Sequence, residues 1–170
     1  MKARSRLGYG TTMELYLPVA AAPALEARSG NENSATHTGS EHVLVVEDEP
    51  DVRTVAEAFL RSLGYRVDAV PTAEEALGFL ASHSTVALVF TDIALGSGLT
   101  GLELARIACQ QRPGLGVLLT SGHDRPSARS SNEGPDQLEL LPKPYRREDL
   151  ALAVRRALDT ASRRREGAAQ

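Results

Sequence analysis

The run Val86-Ala87-Leu88-Val89-Phe90 is apolar at every position. A strand with one wet face alternates apolar and polar residues. An unbroken run of this length suits a strand covered on both faces, as in a parallel sheet flanked by helices. The run ends on Thr91-Asp92, and glycines follow at Gly96, Gly98 and Gly101. One carboxylate, Asp92, is therefore expected at the C-terminal edge of a central strand, where a loop begins. In open α/β sheets ligands bind at that edge. Taken alone, Asp92 reads more simply as a turn residue, since Asp is common after strands.

The same texture recurs from His42 onward. His42-Val43-Leu44-Val45-Val46 is a second buried run, and it ends on Glu47-Asp48-Glu49. Pro50 then opens a helix, as proline does in a first turn. Val52, Val55, Ala56, Phe59, Leu60 and Leu63 recur at helical spacing, and Gly64 stops the helix. Tyr65 to Val70 reads as a strand. Thr72 with Glu75 forms a capping box, and Ala76, Leu77 and Leu80 make an inner face. The Asp92 strand follows. Thr100 with Glu103 forms another capping box, and Leu102, Ala105 and Cys109 line a third helix. Val117 to Ser121 and Leu138 to Leu141 are two further strands, the last leading to Lys143-Pro144. Leu150, Val154 and Leu158 form the stripe of a final helix. Alternating strands and helices with short loops predict an α/β fold, a doubly wound five-stranded parallel sheet over residues 42–160. The segment between Ser121 and Leu138 has almost no apolar face, so the fourth helix is expected to be weak or irregular.

Outside this domain the chain is polar. Thr11 to Leu17 alternates well enough for one strand, ended by Pro18, with no partner strand nearby. Residues 20–41 are poor in large apolar side chains and read as a flexible linker, and 161–170 as a disordered tail whose arginines suit a solvated helix end. A net charge of −3 gives no electrostatic footprint for nucleic acid. No apolar run is long enough to cross a membrane. Cys109 is the only cysteine, so no internal disulfide can form, and a cytoplasmic chain is the simplest account. The four histidines show no metal-ligand spacing and read as surface or loop residues.

Chemistry concentrates at the strand ends. Glu47 and Asp48 end the first strand of the domain and Asp92 the third, and these two strands should be neighbours. Three carboxylates would then converge on one crevice, where like charges raise one another's pKa. A hard cation such as Mg²⁺ would relieve the crowding. Ser121 offers a hydroxyl and Lys143 a compact positive charge.

Val45-Val46-Glu47-Asp48-Glu49, Thr91-Asp92, Gly101, Thr120-Ser121-Gly122 and Lys143-Pro144-Tyr145 together resemble a bacterial two-component receiver domain, of flavodoxin-like fold. The resemblance implies that Asp92 is the phosphoacceptor and that Glu47, Asp48, Asp92 and the backbone carbonyl of Ala94 contact Mg²⁺. It also implies that Ser121 is the switch hydroxyl, that Lys143 contacts phosphate, and that the Lys143–Pro144 bond is cis. The implied partner is a histidine kinase or histidine phosphotransfer protein, and the implied role is that of a switch, not a metabolic enzyme. Three positions depart from the family pattern. Leu140 stands where many members carry an aromatic residue, the helix after Ser121 is weak, and the loop at 94–98 is glycine-rich without the usual proline. Gly8-Tyr9-Gly10-Thr11-Thr12 through Pro18 is similar to the closing strand of a histidine-kinase ATPase domain. Residues 1–19 are thus read as a remnant of a hybrid kinase without its ATP site. Two rivals remain at this level. An aspartyl-nucleophile phosphohydrolase would want a second Asp where Ala94 stands. A phosphorylation-independent docking module would not need the full acceptor set.

Overall fold

The computed structural model describes residues 2–6, 8–14, 16, 38–122 and 138–167. Most of the expected linker, the expected fourth helix and the last three residues lie outside these. The chain divides into two units, residues 1–35 and 36–170.

In the first unit, β1 (Lys2–Arg6) pairs antiparallel with β2 (Gly10–Glu14), Ala3 opposite Met13 and Arg6 opposite Gly10. The single unpartnered strand expected here is thus a hairpin. Its first strand, Lys-Ala-Arg-Ser-Arg, lacks the apolar alternation that marks a strand. Gly8 and Gly10 have φ of +81° and +90°, the left-handed backbone that closes the turn.

In the second unit a parallel sheet takes the order β4-β3-β5-β6-β7. Its strands are β3 (His42–Val46), β4 (Arg66–Val70), β5 (Val86–Asp92), β6 (Gly116–Ser121) and β7 (Glu139–Pro142). The helices are α1 (Pro50–Ser62), α2 (Ala73–Ser82), α3 (Gly101–Gln111) and α4 (Arg147–Gly167). The period of two divides each central strand between two cores. Val43, Val45, Leu88, Phe90 and Leu118 pack with α1 and α4. Leu44, Val46 and Val89 pack with α2 and α3. This is the doubly wound arrangement that the apolar runs require.

Several local expectations change. Val55 is exposed while Ala56 and Leu60 are buried, because the α1 stripe lies one residue further round. In α3, Leu104 and Ala108 are buried beside Ala105 and Cys109, since this helix packs on two clusters at once. Thr100 makes the full capping box with Glu103. Thr72 accepts from Glu75 N at 3.2 Å, but the Glu75 carboxylate takes the Thr72 hydroxyl at 3.3 Å.

The α/β unit also extends past both expected limits. Gly39 N donates to Leu63 O and Arg66 N to Glu41 O, so the end of the expected linker is part of the domain. A Cβ at Gly39 would collide with the Tyr65 ring, which explains the residue there. At the other end α4 runs to Gly167 rather than fraying at 160. Ala161 is buried, and Arg165 Nε donates to Gly114 O at 2.7 Å. His42 is likewise not a surface residue. It is buried, with Nε2 2.7 Å from Asp68 Oδ2 and Nδ1 3.0 Å from Thr85 Oγ1.

Candidate functional site

The strand order sets the site. β5 lies between β3 and β6, and β7 follows at the edge, so four strand ends open on one rim of the sheet. Asp92 is the last residue of β5, opposite Thr120, while Glu47 follows β3 directly. Ser121 closes β6, and its carbonyl accepts from Lys143 N at 2.8 Å. The Lys143–Pro144 bond is cis.

Asp92 and Glu47 are both buried. Lys143 Nζ bridges them, 2.5 Å from Asp92 Oδ2 and 2.8 Å from Glu47 Oε2. The other oxygen of Asp92, Oδ1, accepts from Ala94 N at 3.0 Å. Burial pushes the Glu47 carboxyl up, and the Asp92 charge adds to this while Lys143 opposes it. Burial alone would lower Lys143. The hydrogen bonds it donates to Asp92 and Glu47 outweigh this and hold the ammonium above its ordinary range.

The expected convergence of three carboxylates is therefore only partly met. Asp48 lies exposed beside Gly96, and among the described residues no three His, Cys, Asp or Glu side chains group as a metal cluster. The Lys143 ammonium offsets the Glu47–Asp92 crowding instead. The donor set still suits Mg²⁺ in kind. Glu47, Asp48, Asp92 and the Ala94 carbonyl are all hard oxygens, and Mg²⁺ takes few protein ligands while keeping several waters.

Two residues belong to the site without having been singled out from the sequence. Arg53 Nη1 donates to Glu47 O at 2.6 Å and to Asp48 O at 3.4 Å, clasping the acidic pair by its backbone. A cation near a helix N-terminus opposes the dipole, and that was the available signal. Glu74, in the first turn of α2, accepts from Leu99 N at 2.9 Å in the loop after Asp92. An acid in a first turn is ordinary, so nothing in the sequence marked it. Gly101, one of the motif residues, has a steric reason: a Cβ there would run into the Asp92 carbonyl. Leu140 is half-buried at the edge of the α3-side core. Tyr145 meets Phe90 edge to face, with ring centroids 6.0 Å apart.

Residues 43–155 match the family described as response regulator receiver domain. The chain is 33% identical over 125 residues to the nitrogen assimilation regulatory protein NtrX of Azorhizobium caulinodans, covering 73% of this chain but 27% of that protein. It is 27% identical to the response regulator receiver protein CpdR of Brucella abortus, covering 70% of this chain and 98% of CpdR. Similarity to the sensor kinase CckA of Brucella abortus, 28% identical, takes in 91% of this chain and 17% of the kinase. Among solved structures, a response regulator receiver protein from Sinorhizobium medicae superposes with a TM-score of 0.64 at 29% identity, over 72% of this chain and 97% of that one. NtrX from Brucella abortus superposes with a TM-score of 0.68 at 32% identity, over 76% of this chain and 30% of that one.

Proposed function

Because this chain belongs to the response-regulator receiver family, we propose that it is a phosphoacceptor switch modified on Asp92. The observation that carries the reading is the placement of Asp92. It is a buried carboxylate at the end of the central strand, with one oxygen on Lys143 and the other on the Ala94 amide.

A phosphohistidine on a histidine kinase or phosphotransfer protein is the donor. An Asp92 oxygen attacks phosphorus in line, the P–N bond breaks as the P–O bond forms, and the electron pair leaves on the imidazole. Lys143 lies against Asp92, so its ammonium is at hand for the charge on the transferring oxygens. Glu47, Asp48, Asp92 and the Ala94 carbonyl would hold Mg²⁺, which supplies further positive charge to the phosphoryl oxygens. Ser121 then hydrogen-bonds the acyl phosphate. Because Lys143 N is bonded to Ser121 O, movement at one strand end is passed to the other. Leu140 leaves that movement without an aromatic partner. Later hydrolysis of the acyl phosphate resets the domain, which makes it a timed switch rather than an enzyme acting on a metabolite.

The place of the domain is the C-terminal receiver of a hybrid kinase working in the cytoplasm. The similarity to a sensor kinase over 91% of this chain supports this, since it extends beyond residues 43–155. No described helix is long and apolar enough to cross a membrane.

Intact-mass measurement after incubation with Mg²⁺ and acetyl phosphate tests the reading. One added phosphoryl group is expected, absent in Asp92→Asn. An unchanged wild-type mass would overturn the proposal.

A further inference from the structure

The loop that carries Ala94 needs an external restraint. Residues 94–100 read Ala-Leu-Gly-Ser-Gly-Leu-Thr, with two glycines and no proline to stiffen the backbone. Its near end is fixed by Ala94 N on Asp92 Oδ1 and by burial of Leu95. Its far end is fixed by the Thr100 cap and by Gly101 N on Ile93 O. Between them lies the exposed stretch 96–98. One side chain from outside the loop reaches its far half: Glu74 Oε1 accepts from Leu99 N at 2.9 Å, across 25 residues of sequence.

Gly98 makes that contact possible. Its φ is +95°, and a Cβ there would collide with the Glu74 carboxylate oxygen. The backbone thus passes directly beneath the acid, in a left-handed conformation that favours glycine. The Leu99 amide also holds the Glu74 carboxyl below its usual range. The acid stands in the first turn of α2, whose Ala73, Ala76 and Leu80 are buried in the core, so the tether is rooted in a rigid element.

From this we infer that Glu74 is a positioning residue for phosphoryl transfer: through Leu99 and Gly98 it holds the acceptor loop so that the Ala94 carbonyl is presented to the cation. The inference rests on the reading of Asp92 as phosphoacceptor, but the tether itself does not. Without Glu74 the stretch 96–99 is released, and the Ala94 carbonyl is then held only by the Ala94 N–Asp92 bond and the burial of Leu95, which orient it less closely. Cation affinity then falls, while Asp92 and Lys143 stay in place.

Four variants of the full chain decide it. Glu74→Ala removes the acceptor. Glu74→Gln keeps an amide oxygen for the Leu99 N–H. Gly98→Ala sets a methyl against the acid. Glu75→Ala removes an equal charge from the same turn without touching the loop. In metal-free protein, Leu99 amide exchange should speed up in Glu74→Ala and Gly98→Ala and stay near wild type in Glu74→Gln and Glu75→Ala. Mg²⁺ titration followed by NMR should show affinity weakened about tenfold in the first two, the low end for losing a contact that orients a ligand. With acetyl phosphate, the Mg²⁺ concentration for half-maximal rate should rise while the rate at saturating Mg²⁺ changes little. Wild-type Leu99 exchange and Mg²⁺ affinity in Glu74→Ala would overturn the inference, as would Glu74→Gln behaving like Glu74→Ala or Glu75→Ala matching it. Should wild type take up no phosphoryl group, the Asp92 reading fails, while the exchange and titration data still decide the tether.

Discussion

Replacing Lys143 by Met keeps the aliphatic stem and removes the positive charge that lies between two buried carboxylates. Its ammonium lies 2.5 Å from Asp92 and 2.8 Å from Glu47. At an effective dielectric near that of protein surfaces, each contact is an attraction of about 6 kcal/mol. Desolvation of the three groups returns most of that. What remains is the cost of breaking a buried pair from one side, about 3–5 kcal/mol when the site is dry. The Lys143 side chain is 22% exposed, and Glu47, whose carboxyl is already pushed up by burial, can escape by taking up a proton. Both effects lower the loss to about 2 kcal/mol, roughly 5–10 °C in Tm for a domain of this size. Thermal unfolding by circular dichroism at neutral pH, with chelator present, measures it. Asp92→Asn in the same background removes one of the two facing charges and should restore about half of the loss, a coupling that a double-mutant cycle isolates. If Lys143→Met melts with wild type, or if Asp92→Asn destabilises both backgrounds equally, Lys143 does not offset the carboxylates and the electrostatic account of the site is wrong.

Gly101→Ala should cost about 2–3 kcal/mol, because the methyl meets the Asp92 carbonyl in a packed helix start; denaturant titration checks this. Ala161→Asp buries a charge in the last turns of α4 and should cost at least about 2 kcal/mol, whereas a frayed tail would tolerate it. Glu41 offers a pH test away from the site. Burial would raise its carboxyl, but the Arg155 partner at 2.9 Å outweighs this and holds it below the ordinary range. A depressed folded pKa gives stability that is present above the unfolded value, about 4.3, and is lost as pH falls through the folded one. The stability gap between wild type and Glu41→Gln should therefore be level at neutral pH and close under acid, and a gap that widened there would contradict the pairing.

The parallel sheet was legible because strands buried on both faces leave unbroken apolar runs. The four strand-end residues were legible because each run stops abruptly on a polar group. What stayed hidden were contacts between a side chain and a distant backbone. Glu74 on the Leu99 amide leaves no pattern in residue type, since any backbone offers the same partner, and Arg53 on the Glu47 carbonyl leaves only a cation set against the helix dipole. Strand β1 was hidden for the opposite reason: a hairpin exposed on both sides has no burial to imprint a period. Val55 was misplaced by an error of phase of one residue within α1, and His42 by its residue type, a polar ring that reads as surface but is buried here on polar partners.

His42 also bears on how β3 finds its place. A strand that is greasy on both faces is nearly blind to register. Slid by one residue, Val43-Leu44-Val45-Val46 would present almost the same surface to each core. What differs is at its two ends. His42 meets Asp68 and Thr85 below, and Glu47 meets Lys143 above. A slip of one position would pull both from their partners and leave polar groups stranded in the interior. The two residues are bookends that index the strand, and the acid that serves the chemistry is also one of the marks by which the chain measures itself into alignment.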